Sequence, residues 1–427
     1  MSITAARLGS SPITLDWTHL TPSYSVDPEA FAEAWEKLKN RFNGGEVGFF
    51  DAPVQNSLSQ AEESQAMAQS LLQRKQFSDC LFLGIGGSAL GPIALLSALQ
   101  EKCVSGIRFH FVENPDPVDW KSTLGRLNPS STLVCVVTKS GTTFETLALL
   151  LNALDWLGRE KWKTNVLVIT DPEKGDLKTF ATRQELPTLS IAPSIGGRFS
   201  VFTPVGLFAA AFAGLSVIDF LQGAKQVRDA VLKAPLEKNP LFILGSELLR
   251  FAAKRPIHVC MPYSTRLKLT SAWFVQLWGE SLGKEGKGFT PLAAVGATDQ
   301  HSILQLLRDG PDDKVTFFIT VDQVQDEIKI PRLASPASVL PSFKMLEGHS
   351  LQELLTIEYR ATCQVLTKQN RPNLTFHLDR LDERSMGALF FSLAVLTAFT
   401  GTLWNVDPFN QPGVEEGKVY IRDALKT

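Results

Sequence analysis

The chain predicts an α/β protein built from two parallel sheets, each flanked by helices. Three observations carry this. Short runs that are apolar on both faces, such as "CLFLGIG", "TLVCVV" and "NVLVIT", read as strands buried from both sides. Longer helical patterns alternate with them, which is the signature of βαβ units. The alternation then restarts in the second half, after a stretch from 201 to 233 that has few strand signals and whose helices are expected to form the join.

Taken in order, residues 1–40 are rich in Ser, Pro and Trp and are expected to be irregular and to pack against the body. The first domain, expected over 41–205, holds "CLFLGIG", "IRFHFVE", "TLVCVV", "NVLVIT" and "PTLSIA", with helices such as "ALGPIALLSALQEK" between them. The second, expected over 206–427, holds "PIHVCM", "TPLAAVGA", "KVTFFITV" and "LTFHLD", separated by "SAWFVQLWGESLGK" and "SLQELLTIEYRATCQVL". One run near its end, "MGALFFSLAVLTAFTGTLWNV" at 386–406, has no charge and is long enough to span a bilayer. It also carries Ser392, Thr397, Thr400, Thr402 and two glycines, and no second candidate span accompanies it. A helix buried in the core of a large α/β protein is the expectation.

At 427 residues the chain has room for two domains of ordinary size. Lys plus Arg total 42 against 44 for Asp plus Glu, so no overall field recruits nucleic acid or a membrane surface. Five cysteines are scattered without a C-x-x-C pair, and Cys80, Cys135 and Cys260 fall in strand-like runs as buried thiols. The opening "MSITAARLGSSPITLDW" has no basic region followed by an apolar stretch. A reducing cytoplasm is the expected compartment.

Ligands of open parallel sheets bind beyond the carboxyl ends of strands, where helix N-termini point their N–H groups. "GIGGSALGP" stands at one such end. Gly84, Gly86 and Ala89 satisfy G-x-G-x-x-A, and the next strand-like run ends in Glu113, where a dinucleotide fold would hold a ribose. A nicotinamide dehydrogenase is therefore a competing reading, although Gly87-Ser88 adds a hydroxyl to the same space.

"TKSGTTFET" stands at another. Thr138, Ser140, Thr142 and Thr143 supply hydroxyls, Gly141 lets the backbone approach, and the following helix adds partial positive charge. This is a phosphate cradle without the lysine–serine pair of a nucleotide triphosphate loop, and it suits a monoester. Hydroxyls that merely cap a helix explain one or two of them, not four around a glycine.

Further along, "SIGGRFS" sets Arg198 after two glycines, on a flexible, sterically open turn, where a guanidinium can stabilise an oxyanion. Glu280 sits in a helix lined by Trp273, Phe274, Val275, Leu277 and Trp278, neighbours that can tune a carboxylate toward general-base work. On its own it reads as an ion pair with Lys284 one turn on. His301 opens "SILQLLRDG" and by default is a capping or solvated histidine. The remaining histidines show no metal-ligand spacing, so no metal site is expected.

Together these stretches resemble the phosphoglucose isomerase family. "GIGGSALGP", "TKSGTTFET", "GGRFS", "GESLGK", "QHSILQLLRDG" and "FNQPGVEEGK" are similar to its motifs, in its order, from 84 to 418. "GGRFS" and "NQPGVEEGK" are specific to it, whereas the Ser/Thr-Gly loop belongs to sugar isomerases more widely. The resemblance spans all but the first 40 or so residues and is to the family's shorter bacterial members.

It implies two sugar-isomerase (SIS-like) domains, a homodimer, and interconversion of glucose 6-phosphate with fructose 6-phosphate without a cofactor. It also implies that Ser88, Thr138, Lys139 through its backbone, Ser140 and Thr143 hold the phosphate, with Gly87, Gly197, Gln276 and Gln411 facing the sugar. Glu280 falls on the base that moves a proton between C1 and C2 through a cis-enediol, and Arg198 on the cation that stabilises it. His301, reaching into the partner subunit's site, and Lys418 fall on the ring-opening pair. Asp299 stands before Gln300 where a glycine is common and adds a charge close to His301. The alternative is a non-catalytic sugar-phosphate-binding regulator on the same fold, which would need the cradle but not Glu280, Arg198 and His301.

Overall fold

The computed structural model describes residues 5–20, 27–54, 57–324, 327–332 and 340–426, and among these eleven strands form two sheets. β1 (Ala5–Arg7) and β2 (Ile13–Asp16) are an antiparallel hairpin. The first βα series supplies β3 (Asp79–Leu83), β4 (Arg108–Val112), β5 (Thr132–Thr138), β6 (Val166–Thr170) and β7 (Thr188–Ser190). The second supplies β8 (Ile257–Pro262), β9 (Thr290–Ala293), β10 (Lys314–Gln323) and β11 (Asn373–Arg380). All nine strand-like runs read from sequence are strands.

The first sheet is wholly parallel, in the order β4-β3-β5-β6-β7. β3, β5 and β6 are buried along their whole lengths, which is why they read as unbroken apolar runs rather than alternating ones. The second sheet corrects the expectation. Its order is β1-β2-β11-β10-β8-β9, and β2 pairs antiparallel with β11, so the sheet is mixed. Nor are residues 1–40 irregular: besides the hairpin they begin the helix Pro28–Asn43, capped by Asp27, whose carboxylate accepts from the N–H groups of Glu29 and Ala30. Positions 1–4 and 21–26 of that stretch lie outside the described residues.

The uncharged run is the helix Glu383–Leu403, with every residue from 385 to 401 buried. It is apolar enough to cross a membrane by composition, yet its apolar window is 89% covered by the rest of the chain. Three of its hydroxyls are satisfied within the helix: Ser392 donates to the Ala388 carbonyl at 2.7 Å, Thr397 to Leu393 at 2.7 Å and Thr402 to Ala398 at 2.9 Å. Against it lies the helix Val217–Lys233, and the two approach through glycines. A Cβ on Gly223 would stand 1.8 Å from the Arg384 carbonyl oxygen, and one on Gly387 1.8 Å from that of Phe220. Together with Pro204–Ala213, these helices join the two series, and one hydrophobic core runs through both.

In the first sheet the chain steps from β3 to β4 on one side and then crosses back to β5 on the other. The crevice at that reversal of order opens between the loops after β3 and β5. The candidate site is built there.

Candidate active site

β5 ends at Thr138 and the helix Phe144–Leu157 begins six residues later, so the intervening loop lies at a helix N-terminus. Gly141 takes a left-handed φ of +68°, and an added Cβ would stand 2.9 Å from the Gly175 Cα, so only glycine fits. The turn gathers the four hydroxyls, Thr142 Oγ1 donating to Ser140 Oγ at 3.3 Å. Thr138 Oγ1 lies 2.8 Å from Thr143 Oγ1 and 3.4 Å from Ser140 Oγ, and the last two are 3.3 Å apart. Thr143 occupies the helix N-cap yet makes no capping bond with its side chain, so capping does not account for it. Lys139 sends its Nζ away to the Pro193 carbonyl at 2.7 Å, and burial lowers its pKa. Its side chain is thus withdrawn and its backbone left for the cradle.

The turn Gly86–Ser88 follows β3. Its Gly87 packs on the Gly197 turn: a Cβ there would stand 2.2 Å from the Gly197 carbonyl carbon and 2.7 Å from the Arg198 nitrogen. Ser200 Oγ fastens the contact by donating to the Gly87 carbonyl at 2.7 Å. Gly87 is small because another backbone lies against it, which removes the need for a pyrophosphate that the dinucleotide fingerprint suggested.

Arg198 departs from expectation. It does not sit on an open turn but in the 3₁₀ segment Gly197–Phe202, and it is 2% exposed. Four hydrogen bonds and one ion pair engage its guanidinium. Nε donates to Ser281 Oγ at 2.7 Å, and Nη2 donates to the carbonyls of Pro408 at 2.6 Å and Asn410 at 3.1 Å. Nη1 meets Gln411 Oε1 at 3.1 Å and Glu280 Oε1 at 3.3 Å. Burial lowers its pKa, while Glu280 and Asp407 oppose that shift.

Glu280 lies on the helix Lys268–Leu282, about a quarter exposed at 24%. The expected pair with Lys284 does not form. Glu280 Oε2 instead accepts from Gln276 Nε2 at 3.0 Å, one turn back, and Lys284 Nζ donates to the carbonyls of Ser281 and Asp407. Gln276 reaches over the Gly86 turn, its Nε2 3.0 Å from where a Cβ would be, and its buried Oε1 has no partner. This leaves one acceptor beside the carboxylate without its hydrogen bond.

Lys418 stands on the helix Pro412–Ala424, half-exposed, with Nζ 2.7 Å from Glu415 Oε1. It lines a cavity of about 370 Å³ together with Ile85, Ser140, Thr142 and Thr143, so the C-terminal helix roofs the cradle. His301 is not gathered in. It lies exposed in the first turn of the helix Gln300–Asp309, and its ring has no hydrogen bond or ion pair among the described residues. Asp299 turns away from it and accepts from the Val295 N–H at 2.7 Å.

Sequence reasoning missed Ser281 and the carbonyls of Pro408 and Asn410 as partners of Arg198. Ser281, next to Glu280 in "GESLGK", could have been suspected. Carbonyls leave no side-chain signature.

Two joined α/β units with a hydroxyl cradle at one switch point and a buried arginine against a carboxylate are the marks of a sugar-phosphate isomerase. Known proteins agree. A family model described as phosphoglucose isomerase matches residues 61–427. Glucose-6-phosphate isomerase of Rubrobacter xylanophilus is 44% identical over 352 residues, covering 80% of this chain and 81% of the relative. A solved structure of a hypothetical protein from Thermus thermophilus aligns with a TM-score of 0.88 and 36% identity, over 97% of this chain and 100% of that one. The structure of a glucose-6-phosphate isomerase from Chlamydia trachomatis aligns at 0.81 with 25% identity, over 99% and 90%. The chain belongs to the phosphoglucose isomerase family.

Proposed function

We infer that the protein is an aldose–ketose isomerase that interconverts glucose 6-phosphate and fructose 6-phosphate, a step of glycolysis and gluconeogenesis. Membership of the family supports this reaction. The observation that carries the mechanism is the carboxylate of Glu280, 3.3 Å from a buried guanidinium.

The reaction moves one proton between neighbouring carbons, so it needs an anchor, a base that reaches both carbons, and a cation for the intermediate. Thr138, Ser140, Thr143, Ser88 and the Lys139 N–H grip the phosphate. Glu280 removes the proton from C2 of the opened aldose and returns it to C1, while a second proton passes from O2 to O1 through the cis-enediol, or the reverse. The negative charge that develops on the cis-enediol oxygens falls in the field of Arg198, whose Nη1 can exchange the Gln411 amide for a substrate oxygen. The free Oε1 of Gln276 accepts a sugar hydroxyl, and Gly87, Gly197 and Gln411 complete the wall.

Ring opening falls to Lys418 and to His301 of a neighbouring copy in a homodimer. In support, the His301 ring is unengaged and solvent-facing in its own chain. The cytoplasm is the compartment that suits five free cysteines, four of them buried. A regulator that only bound the sugar phosphate would leave the Arg198–Glu280 pair without a purpose. A coupled assay of the purified protein with fructose 6-phosphate tests the reading. Turnover is expected, and saturable binding without turnover would favour the regulator.

A further inference from the structure

Two lysines beside the site have no part in the mechanism above. Just past the end of the Glu280 helix the chain folds back through a bridge between Lys284 and Lys287. Lys287 Nζ donates to the Trp404 carbonyl at 2.9 Å. Lys284 Nζ donates to the carbonyls of Ser281, at 2.8 Å, and Asp407. The next carbonyl, that of Pro408, accepts from Arg198, as does that of Asn410, and Gln411 follows directly. The 407–411 loop is thus held by Lys284 at one end and Arg198 at the other.

We propose that Lys284 is a positioning residue for the isomerisation: its ammonium ties the end of the Glu280 helix to the 407–411 loop and keeps Arg198 and Gln411 aligned with Glu280. The proposal rests on the reading of Glu280 and Arg198 given above. Arg198 reaches the loop from its own segment, Gly197–Phe202, through three of its donors. Only Ser281 and Glu280 bind it to the helix, and Lys284 adds the direct tie between helix and loop.

An ammonium beside a guanidinium is a costly way to satisfy two carbonyls, which argues for a use beyond packing. The groups facing it are Arg198 and Asp407, Glu280 at the helix end, Glu285 next in sequence, and Arg41 through its 2.8 Å pair with Asp407. Burial first, and Arg198 second, hold the Lys284 ammonium down at about 8, against the pull of the three carboxylates. The charge is therefore complete below about 8 and is lost as pH rises through it. A charge-assisted bond to a carbonyl is roughly twice as strong as a neutral one, so the tie loosens on the alkaline side.

The test compares Lys284→Met and Lys284→Arg with the unaltered protein, using fructose 6-phosphate. Lys284→Met is expected to lower kcat roughly 10-fold or more by misalignment. Its KM should change less than about threefold, because the cradle sits on another loop. In the unaltered protein kcat should fall as pH rises through about 8, whereas Lys284→Arg, with a guanidinium that stays protonated, should keep most of kcat and lose that fall. A purely structural lysine would not shift the pH profile. The same alkaline fall in both proteins, or a folded Lys284→Met with unchanged kcat, overturns the proposal. Glu280→Gln is assayed alongside: if that variant is active, the failure lies in the reading of the site instead.

Discussion

In the proposed mechanism the chemistry turns on Glu280, and its neighbours bear on that role. One oxygen is held by Gln276 and the other by Arg198, so the carboxylate is oriented before any ligand arrives. Glu280→Gln keeps that shape but cannot accept a proton. Turnover should fall roughly 10²- to 10⁴-fold while a phosphorylated sugar acid still binds. A variant with half the normal rate in the coupled assay would remove Glu280 from the mechanism. The residue types at this site were legible in the sequence, because Glu280, Arg198 and Gln411 each stand in a short distinctive stretch. Their partners were not. Lys284 is one turn from Glu280 and was the natural ion-pair candidate, yet Arg198, far earlier in the chain, takes that place.

Among the elements, the loop between β5 and its helix and the crossing of two buried helices make separate predictions. The cradle hydroxyls lie within 3.4 Å of one another around Gly141, so no single one dominates. Replacing Ser140 and Thr143 together by alanine should raise KM for fructose 6-phosphate and also lower kcat, since anchoring the phosphate orients the reacting carbons. For the same reason glucose should be a poor substrate even at high concentration. Normal kinetics in the double variant would dismiss the cradle. The helix crossing concerns stability. At Gly387 a Cβ would meet a backbone oxygen at 1.8 Å, and no rotamer change can relieve it. Gly387→Ala should cost at least about 1–3 kcal/mol, read as an earlier urea midpoint. An unchanged midpoint would mean that the two helices can separate freely.

For the whole molecule the main question is the position of His301. Within one chain it is exposed and its ring has no partner among the described residues. If a second copy brings it into place, Glu280→Gln and His301→Ala should complement each other when mixed under conditions that exchange subunits. Random pairing makes about half the dimers mixed, and in each of those one site regains both native residues, so about a quarter of all sites should recover. If His301 acts in its own chain, every site keeps a defect. Verified exchange without a gain in activity would refute the shared site.

The sequence alone determined the strands, the buried helix and the chemical types at the site, since these rest on local pattern: apolar runs, hydroxyls around a glycine, an arginine after two glycines. It could not determine that β2 adds to the edge of the second sheet, because a short hairpin pairs with whichever edge the fold leaves open. Nor could it show that Arg198 is buried and held by four hydrogen bonds, for its partners are carbonyls and side chains far away along the chain. Local sequence sets what a segment can form. Only tertiary packing decides which backbone groups meet a side chain, because every non-proline residue offers the same N–H and every residue the same carbonyl.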